Sequence, residues 1–269
     1  INGTNGVITK APVTISGLAA NDKVYNANAI ATLNGTPTVF GALEAVTISS
    51  GTATATFNNM NVADNIAVTA NLSGLVLSNP NYEITGVTSP LVADITPARI
   101  TVTAAKVYDG SLTVANSGLT VVGVAGQTLS FGAATTATLT NPNVNSAGFD
   151  SLNNVSLLDG TGLASNYTLV NPILSTVTIT PANLTISATD AVKTYNQLSS
   201  VVGATTMPTP LLVSGVLYTN AATGFADTLS GGVYAFANAN AGVGNKTLQV
   251  SGVNVLNGAV GANANYNIT

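Results

Sequence analysis

Ile95-Thr96-Pro97-Ala98-Arg99-Ile100-Thr101-Val102-Thr103-Ala104-Ala105-Lys106-Val107-Tyr108-Asp109-Gly110 is the stretch on which the fold turns. From Ile100 onward apolar residues alternate with threonine, the period-two pattern of a half-buried strand, and the run ends at Asp-Gly, a turn signal. The same order of residues returns on either side. Ile8-Thr9-Lys10 and Ile179-Thr180-Pro181 match the opening, Val13-Thr14-Ile15-Ser16 and Leu184-Thr185-Ile186-Ser187 match the alternating strand, and Lys23-Val24-Tyr25-Asn26 and Lys193-Thr194-Tyr195-Asn196 match the Lys-x-Tyr. A third anchor, Asn-Tyr, closes each copy at Asn81-Tyr82, Asn166-Tyr167 and Asn265-Tyr266.

Three anchors in one order, three times over, define a tandem repeat of about 85 residues. The boundaries fall at residues 8–94, 95–178 and 179–269, with residues 1–7 read as the tail of a preceding copy. The third copy ends at Ile268-Thr269, so it is expected to lack its final strand. No Gly/Ser-rich or Pro-rich linker separates the copies, which predicts stiff junctions.

Within a copy, short segments such as Ala53-Thr54-Ala55-Thr56-Phe57 and Thr247-Leu248-Gln249-Val250 alternate between turns such as Asn34-Gly35 and Asn257-Gly258. No sustained helical stripe appears. The expected class is all-β, as three tandem antiparallel β-sandwich-like units of immunoglobulin type; β-grasp-like units with a short helix are the alternative. Compact-domain scaling makes each unit ~30 Å across and three end to end a rod of ~90–100 Å.

Composition removes much chemistry. The 269 residues contain no Cys, His or Trp, and only 6% are charged. A Ser-His-Asp triad, a Cys nucleophile, a thiol redox centre and a His/Cys zinc site are therefore absent. Six Lys and Arg against ten Asp and Glu leave a net charge of −4, which argues against nucleic acid and against an anionic membrane surface. No stretch is long and apolar enough for a membrane helix, and no enzyme is expected. Glu44 and Glu83 are the two glutamates, and neither recurs in the other copies, so a paired-carboxyl site is missing.

The motif Lys106-Val107-Tyr108-Asp109-Gly110, between Ile95-Thr96-Pro97-Ala98 and Asn166-Tyr167-Thr168-Leu169, resembles the YDG-type repeats of large filamentous-haemagglutinin-like bacterial exoproteins exported by two-partner secretion. The first and third copies depart from it, reading Tyr25-Asn26-Ala27 and Tyr195-Asn196-Gln197. The inner segments Phe57 to Val62, Leu139 to Val144 and Phe236 to Ala241 also align. The resemblance implies an extracellular, cell-surface setting, a part in cell adhesion or biofilm, and no enzymatic activity or cofactor.

The repeat anchors Lys23, Tyr25, Tyr82, Lys106, Tyr108, Asp109, Gly110, Tyr167, Lys193, Tyr195 and Tyr266 are expected to be structural. Each tyrosine fills a core edge with its hydroxyl tied to backbone, while its lysine reaches outward. A Lys–Asn isopeptide involving Asn166 is the sharper alternative. Calcium is the one ion the turn carboxylates Asp22, Asp109 and Asp159 suggest. Tyr218 and Tyr234 are the tyrosines outside the anchors and the candidate platforms for a host or matrix glycan or protein. Asn-x-Ser/Thr triplets, including those at Asn34, Asn71, Asn166, Asn183 and Asn245, are candidate glycosylation sites. Further repeats of the same parent protein are expected neighbours, and a borrowed strand between molecules is geometrically allowed.

With so few charges, stability comes from apolar burial and backbone ladders. The thermal midpoint should change by no more than a few degrees between low and moderate salt; a calorimetric drop of many degrees would reveal an ionic network.

Overall fold

The computed structural model describes residues 6–244 and 246–269. The part of the expected N-terminal tail at residues 1–5, and the triplet at Asn245, lie outside them. Among the described residues the chain is all strand and turn, with no α-helix; the helical elements are four 3₁₀ turns of three residues each. The short helix of the β-grasp alternative has no counterpart there.

Alternation in sequence becomes alternation in burial. Along the strand Ala98–Val107, Ala98, Ile100, Val102 and Ala104 are buried while the residues between them face outward or are half-buried. Ala11–Ser16 and Ala182–Ala188 repeat the pattern through Val13 and Ile15, and through Ala182 and Leu184. Threonine on the outer face fits the pleat through its branched carbon and meets water through its hydroxyl.

The sheets are mixed, which corrects the purely antiparallel expectation. Ala11–Ser16 lies between Thr38–Phe40, antiparallel, and Tyr82–Val87, parallel. Ala182–Ala188 lies in the same way between Pro210–Ser214 and Tyr266–Ile268. The middle copy of this sheet orders Leu119–Val122, Ala98–Val107 and Tyr167–Thr180. The reason is the length of chain between partners: parallel strands need a long crossover, and here almost a whole repeat separates the opening strand from the Asn-Tyr strand beside it.

A five-stranded sheet follows in the first copy, ordered Lys23–Val24, Leu91–Thr96, Ala63–Asn71, Thr54–Phe57, Ile30–Ala31. Here Leu91–Thr96 runs antiparallel to Ala63–Asn71 and parallel to Lys23–Val24.

Compactness divides the chain into two units rather than at the sequence periods. The first comprises residues up to Thr101 with Val122–Ser130 and Leu157–Ile173, and the second comprises Val102–Val121, Phe131–Ser156 and Leu174–Thr269. Residues 95–178 are thus shared between them. In the second unit, Tyr108, Val114, Leu139, Leu184, Val255 and Tyr266 form one buried cluster, although they belong to different repeats by sequence. In the first, Val13, Val46 and Tyr82 form a smaller one.

Candidate functional site

The residues that recur in the sequence converge at two joints of similar construction, one inside each compact unit. Each begins with Lys-x-Tyr. The ammonium of Lys106 donates to Asp109 Oδ1 (2.6 Å), the Ser111 carbonyl (2.7 Å), Ser111 Oγ (2.9 Å) and the Thr113 carbonyl (3.1 Å). Lys23 does the same with Asn26 Oδ1 (2.9 Å) and the Asn28 and Ile30 carbonyls (2.6 and 3.0 Å). Lys193 closes on Asn196 Oδ1 (2.8 Å), the Leu198 carbonyl and the Ser200 carbonyl (2.7 Å). The expectation that these lysines reach outward is corrected: each clips the chain three, five and seven residues on, its ammonium gathering a side-chain oxygen and two backbone carbonyls in charge-assisted hydrogen bonds. Lys23 and Lys193 also lie 5.3 and 5.9 Å from the ring centres of Phe57 and Phe236, where the middle repeat carries Leu139.

Burial lowers the pKa of Lys23. Burial pushes the Asp109 carboxyl up, but its hydrogen bonds from Lys106 and Ser111 outweigh this and hold it below its ordinary value. Gly110 follows with φ +70°, and a Cβ there would lie 2.3 Å from the Thr219 carbonyl oxygen. The departing copies keep the left-handed backbone without glycine, with φ 63° at Ala27 and 65° at Gln197.

The clipped turn leads into a tyrosine that meets the Asn-Tyr of the following repeat. In the first joint the rings of Tyr25 and Tyr167 pack edge to face, with centres 5.6 Å apart, and both hydroxyls donate to Gln127 Oε1 (3.1 and 2.6 Å). The Tyr167 hydroxyl accepts the Val124 N–H (3.2 Å). In the second, Tyr108 and Tyr266 pack at 5.3 Å and both hydroxyls donate to Asp227 Oδ2 (3.0 and 2.6 Å), while the Tyr266 hydroxyl accepts the Tyr218 N–H (3.0 Å). Backbone pairing accompanies each ring pair: the Tyr25 N–H donates to the Thr96 carbonyl and the Tyr108 N–H to the Thr180 carbonyl, both at 2.8 Å. At Tyr25 and Tyr108 the expected backbone tie of the hydroxyl is therefore corrected to side-chain acceptors, and Tyr195, 60% exposed, does not fill the core edge expected of it.

The neighbouring asparagine completes the joint. Asn166 and Asn265 are buried, each delivered by a 3₁₀ turn, Ala164–Asn166 and Asn263–Asn265. Asn166 Oδ1 accepts the Val62 N–H (2.9 Å) and its amide donates to Asn61 Oδ1 (2.9 Å). Asn265 Oδ1 accepts the Val144 N–H (2.9 Å) and its amide donates to Asn143 Oδ1 (2.8 Å). Both receiving loops are shaped by the same turn, in which the Asn61 N–H reaches Asn59 Oδ1 (3.0 Å) and the Asn143 N–H reaches Asn141 Oδ1 (2.9 Å).

Burial raises the hydroxyl pKa of Tyr108 and Tyr266, and the charge and hydrogen bond of Asp227 add to the effect. Asp227 is itself buried, and Asn257 donates to its other oxygen (2.8 Å).

The remaining sequence candidates take structural places. The Lys106 ammonium is held by Asp109, Ser111 and Thr113, and the Asn166 amide donates to Asn61, so both residues have other partners than each other. Buried Asn166 presents no acceptor for a glycan. Tyr234 is buried with its hydroxyl donating to the Gly231 carbonyl (2.9 Å), and half-buried Tyr218 packs edge-on against Tyr108 at 5.9 Å. Tyr234 thus has no open ring face for stacking on a sugar, which corrects its reading as a platform, while Tyr218 keeps partial exposure. Asp22 and Asp159 accept the backbone N–H groups of Asp94 and Ala164. Among the described residues no group of three or more His, Cys, Asp or Glu is placed to hold a metal. A surface groove of about 750 Å³ lies beside Tyr82, lined in part by Lys10, Asn71, Leu75, Asn79 and Pro80.

Sequence reading missed Gln127, Asp227, Asn61 and Asn143. The two asparagines carried a signal, since the aligned inner segments place them at one repeat position. Gln127 and Asp227 carried none, because the two joints draw their acceptor from different places in the chain.

The joints define an all-β chain whose recurring side chains tie one sequence repeat to the next. The family model for the YDG domain matches residues 9–89 and 93–178, and the chain belongs to that family. Comparison with curated proteins and with solved structures gives no match.

Two expectations follow. Replacing Ala27 or Gln197 by glycine relieves a left-handed strain and should raise stability by roughly 1 kcal/mol, while Gly110→Ala should lower it, as read by chemical denaturation. Because folding raises the Tyr108 and Tyr266 pKa above the ordinary 10.0, the unfolded chain ionises first. Stability should hold below that pH and fall above it, with the buried tyrosinates absorbing at 295 nm only as the fold is lost.

Proposed function

We propose that the chain is a non-enzymatic spacer, a run of structural repeats in a large secreted or cell-surface bacterial adhesin of the filamentous-haemagglutinin-like kind, which holds an adhesive region away from the surface. The observation that carries this reading is where the recurring polar side chains go. The lysines, the inner asparagines and both members of each tyrosine pair are used to lock a turn or to join consecutive repeats, so what the repeat preserves is linkage. A site for turnover would instead leave some of these groups converging on an open cleft. Low charge and the absence of cysteine suit a chain that crosses an envelope unfolded and folds outside.

A second reading, that the repeats themselves bind a glycan, matrix polysaccharide or host protein, draws on the groove beside Tyr82. Small-angle scattering combined with glycan-array and matrix-polysaccharide binding separates the two. The spacer reading expects no saturable binding and a radius of gyration well above the ~18 Å of a compact chain of this length. Saturable binding that is lost when Asn71 and Asn79 are replaced, or a radius near ~18 Å, would overturn it.

A further inference from the structure

The strand that opens a repeat and the Asn-Tyr strand that closes it lie side by side and point the same way. Ala11–Ser16 pairs in parallel with Tyr82–Val87, in the register Ala11 to Tyr82, Val13 to Ile84 and Ile15 to Val87. The Ala11 N–H donates to the Asn81 carbonyl (2.9 Å) at one end of this ladder and the Thr88 N–H donates to the Ile15 carbonyl (2.9 Å) at the other. Between them the Thr85 hydroxyl donates to the Val13 carbonyl (3.1 Å). Ala182–Ala188 and Tyr266–Ile268 repeat the parallel pairing. There the Thr269 N–H reaches the Leu184 carbonyl (2.8 Å) and the Ile186 N–H reaches the Thr269 carbonyl (2.9 Å).

The closing strand runs on toward the next repeat without a linker. After Thr88-Ser89-Pro90 the first copy continues as Leu91–Thr96, and only Pro97 stands between that strand and Ala98–Val107, which opens the second copy. Leu91–Thr96 makes a second parallel contact, Ile95 to Lys23 and Thr96 to Val24, continued by the Tyr25 N–H on the Thr96 carbonyl (2.8 Å). In the middle copy the closing strand is unbroken, Tyr167–Thr180. The opening strand of the first copy is held on its other side too, where Thr14, Ile15 and Ser16 pair antiparallel with Phe40, Val39 and Thr38, and its Val13 and Ile15 are buried.

We infer that the repeat is a tension-bearing element, a shear clamp closed by its first and last strands. A pull along the chain acts on the N-terminal end of the opening strand and on the C-terminal end of the closing strand. In a parallel pair these ends lie at opposite ends of the shared ladder, so the load slides one strand along the other and strains the bonds from Asn81 to Thr88 together. An antiparallel pair would meet the same pull at one end and open a bond at a time. Rupture of the parallel pair takes several hydrogen bonds and the packing of Val13 and Ile15 in one event, which makes resistance to force a matter of a high unfolding barrier. The inference rests on the spacer reading for its use, since a spacer between a surface and a held target carries load, while its geometry stands independently of that reading.

The chain contains no cysteine, so introduced thiols are unique attachment points for single-molecule force spectroscopy on the intact chain. Handles at Lys10→Cys and Ser89→Cys load Ala11–Ser16 and Tyr82–Val87 in shear. Handles at Lys10→Cys and Pro80→Cys pull on the same end of both strands and peel them apart. All three positions are exposed and lie outside the strands, and far-ultraviolet circular dichroism checks that both double variants fold. At one pulling speed the shear pair should rupture at a force at least about twice that of the peeling pair. Its rupture should release the chain between residues 10 and 89, about 260–280 Å of extended length. Equal forces in the two geometries, or a lower force in shear, would overturn the inference and leave the spacer reading untouched. A compact or ligand-binding chain in the scattering and array experiments would instead overturn the spacer reading and leave the difference in force standing.

Discussion

A polar side chain taken out of water must find a partner, and in this chain the partner belongs to the neighbouring repeat. Asn166 and Asn265 are buried and would each leave an amide unpaired, at a cost of about 1–3 kcal/mol, if the preceding repeat did not offer an asparagine carbonyl and a valine N–H in the right place. The hydroxyls of Tyr25 and Tyr108 meet the same condition, since their acceptors Gln127 and Asp227 lie in the following repeat. Apolar contact alone would tolerate a slip of one repeat against the next. The directed hydrogen bonds of the joint fix both register and order, which is what a run of otherwise low-charge sheet needs.

The lysine clip serves that joint at one remove. Chain reversal after Lys-x-Tyr brings the backbone carbonyls five and seven residues on within reach of one ammonium, which gathers them. Asp109 in the middle repeat and Asn26 and Asn196 in the others fill one acceptor position, so the family's namesake carboxyl is one solution to a geometric requirement that an amide meets as well. The glycine that follows is needed most where the Thr219 carbonyl approaches it. Alanine and glutamine stand in its place where the turn has room.

Much of this was legible from the residues. Alternating Val, Ile and Thr gave the strand class, and the three anchors gave the period. What the sequence could not convey was partnership across repeats. Tyr25 and Tyr82 look like members of one module because they fall within one period, yet Tyr25 pairs with Tyr167. Periodicity marks where a pattern recurs and carries no sign of whether the contacts close within a period or between periods. The parallel pairing of Ala11–Ser16 with Tyr82–Val87 was hidden for a related reason, since strand alternation reads the same for either direction. Asp227 was hidden because a lone aspartate in a low-charge chain reads as a turn residue until two tyrosine hydroxyls are seen to converge on it.

The central claim, that consecutive repeats are locked by side chains from both, is tested most directly by amide hydrogen exchange resolved by residue in the intact chain and in Asn166→Ala. The account predicts that the Val62 amide is protected in the intact chain and loses that protection in the variant, while the Val144 amide, bound by Asn265, keeps its own. A Val62 amide that exchanges as freely as an exposed turn in the intact chain, or that stays protected after Asn166 is removed, would contradict it.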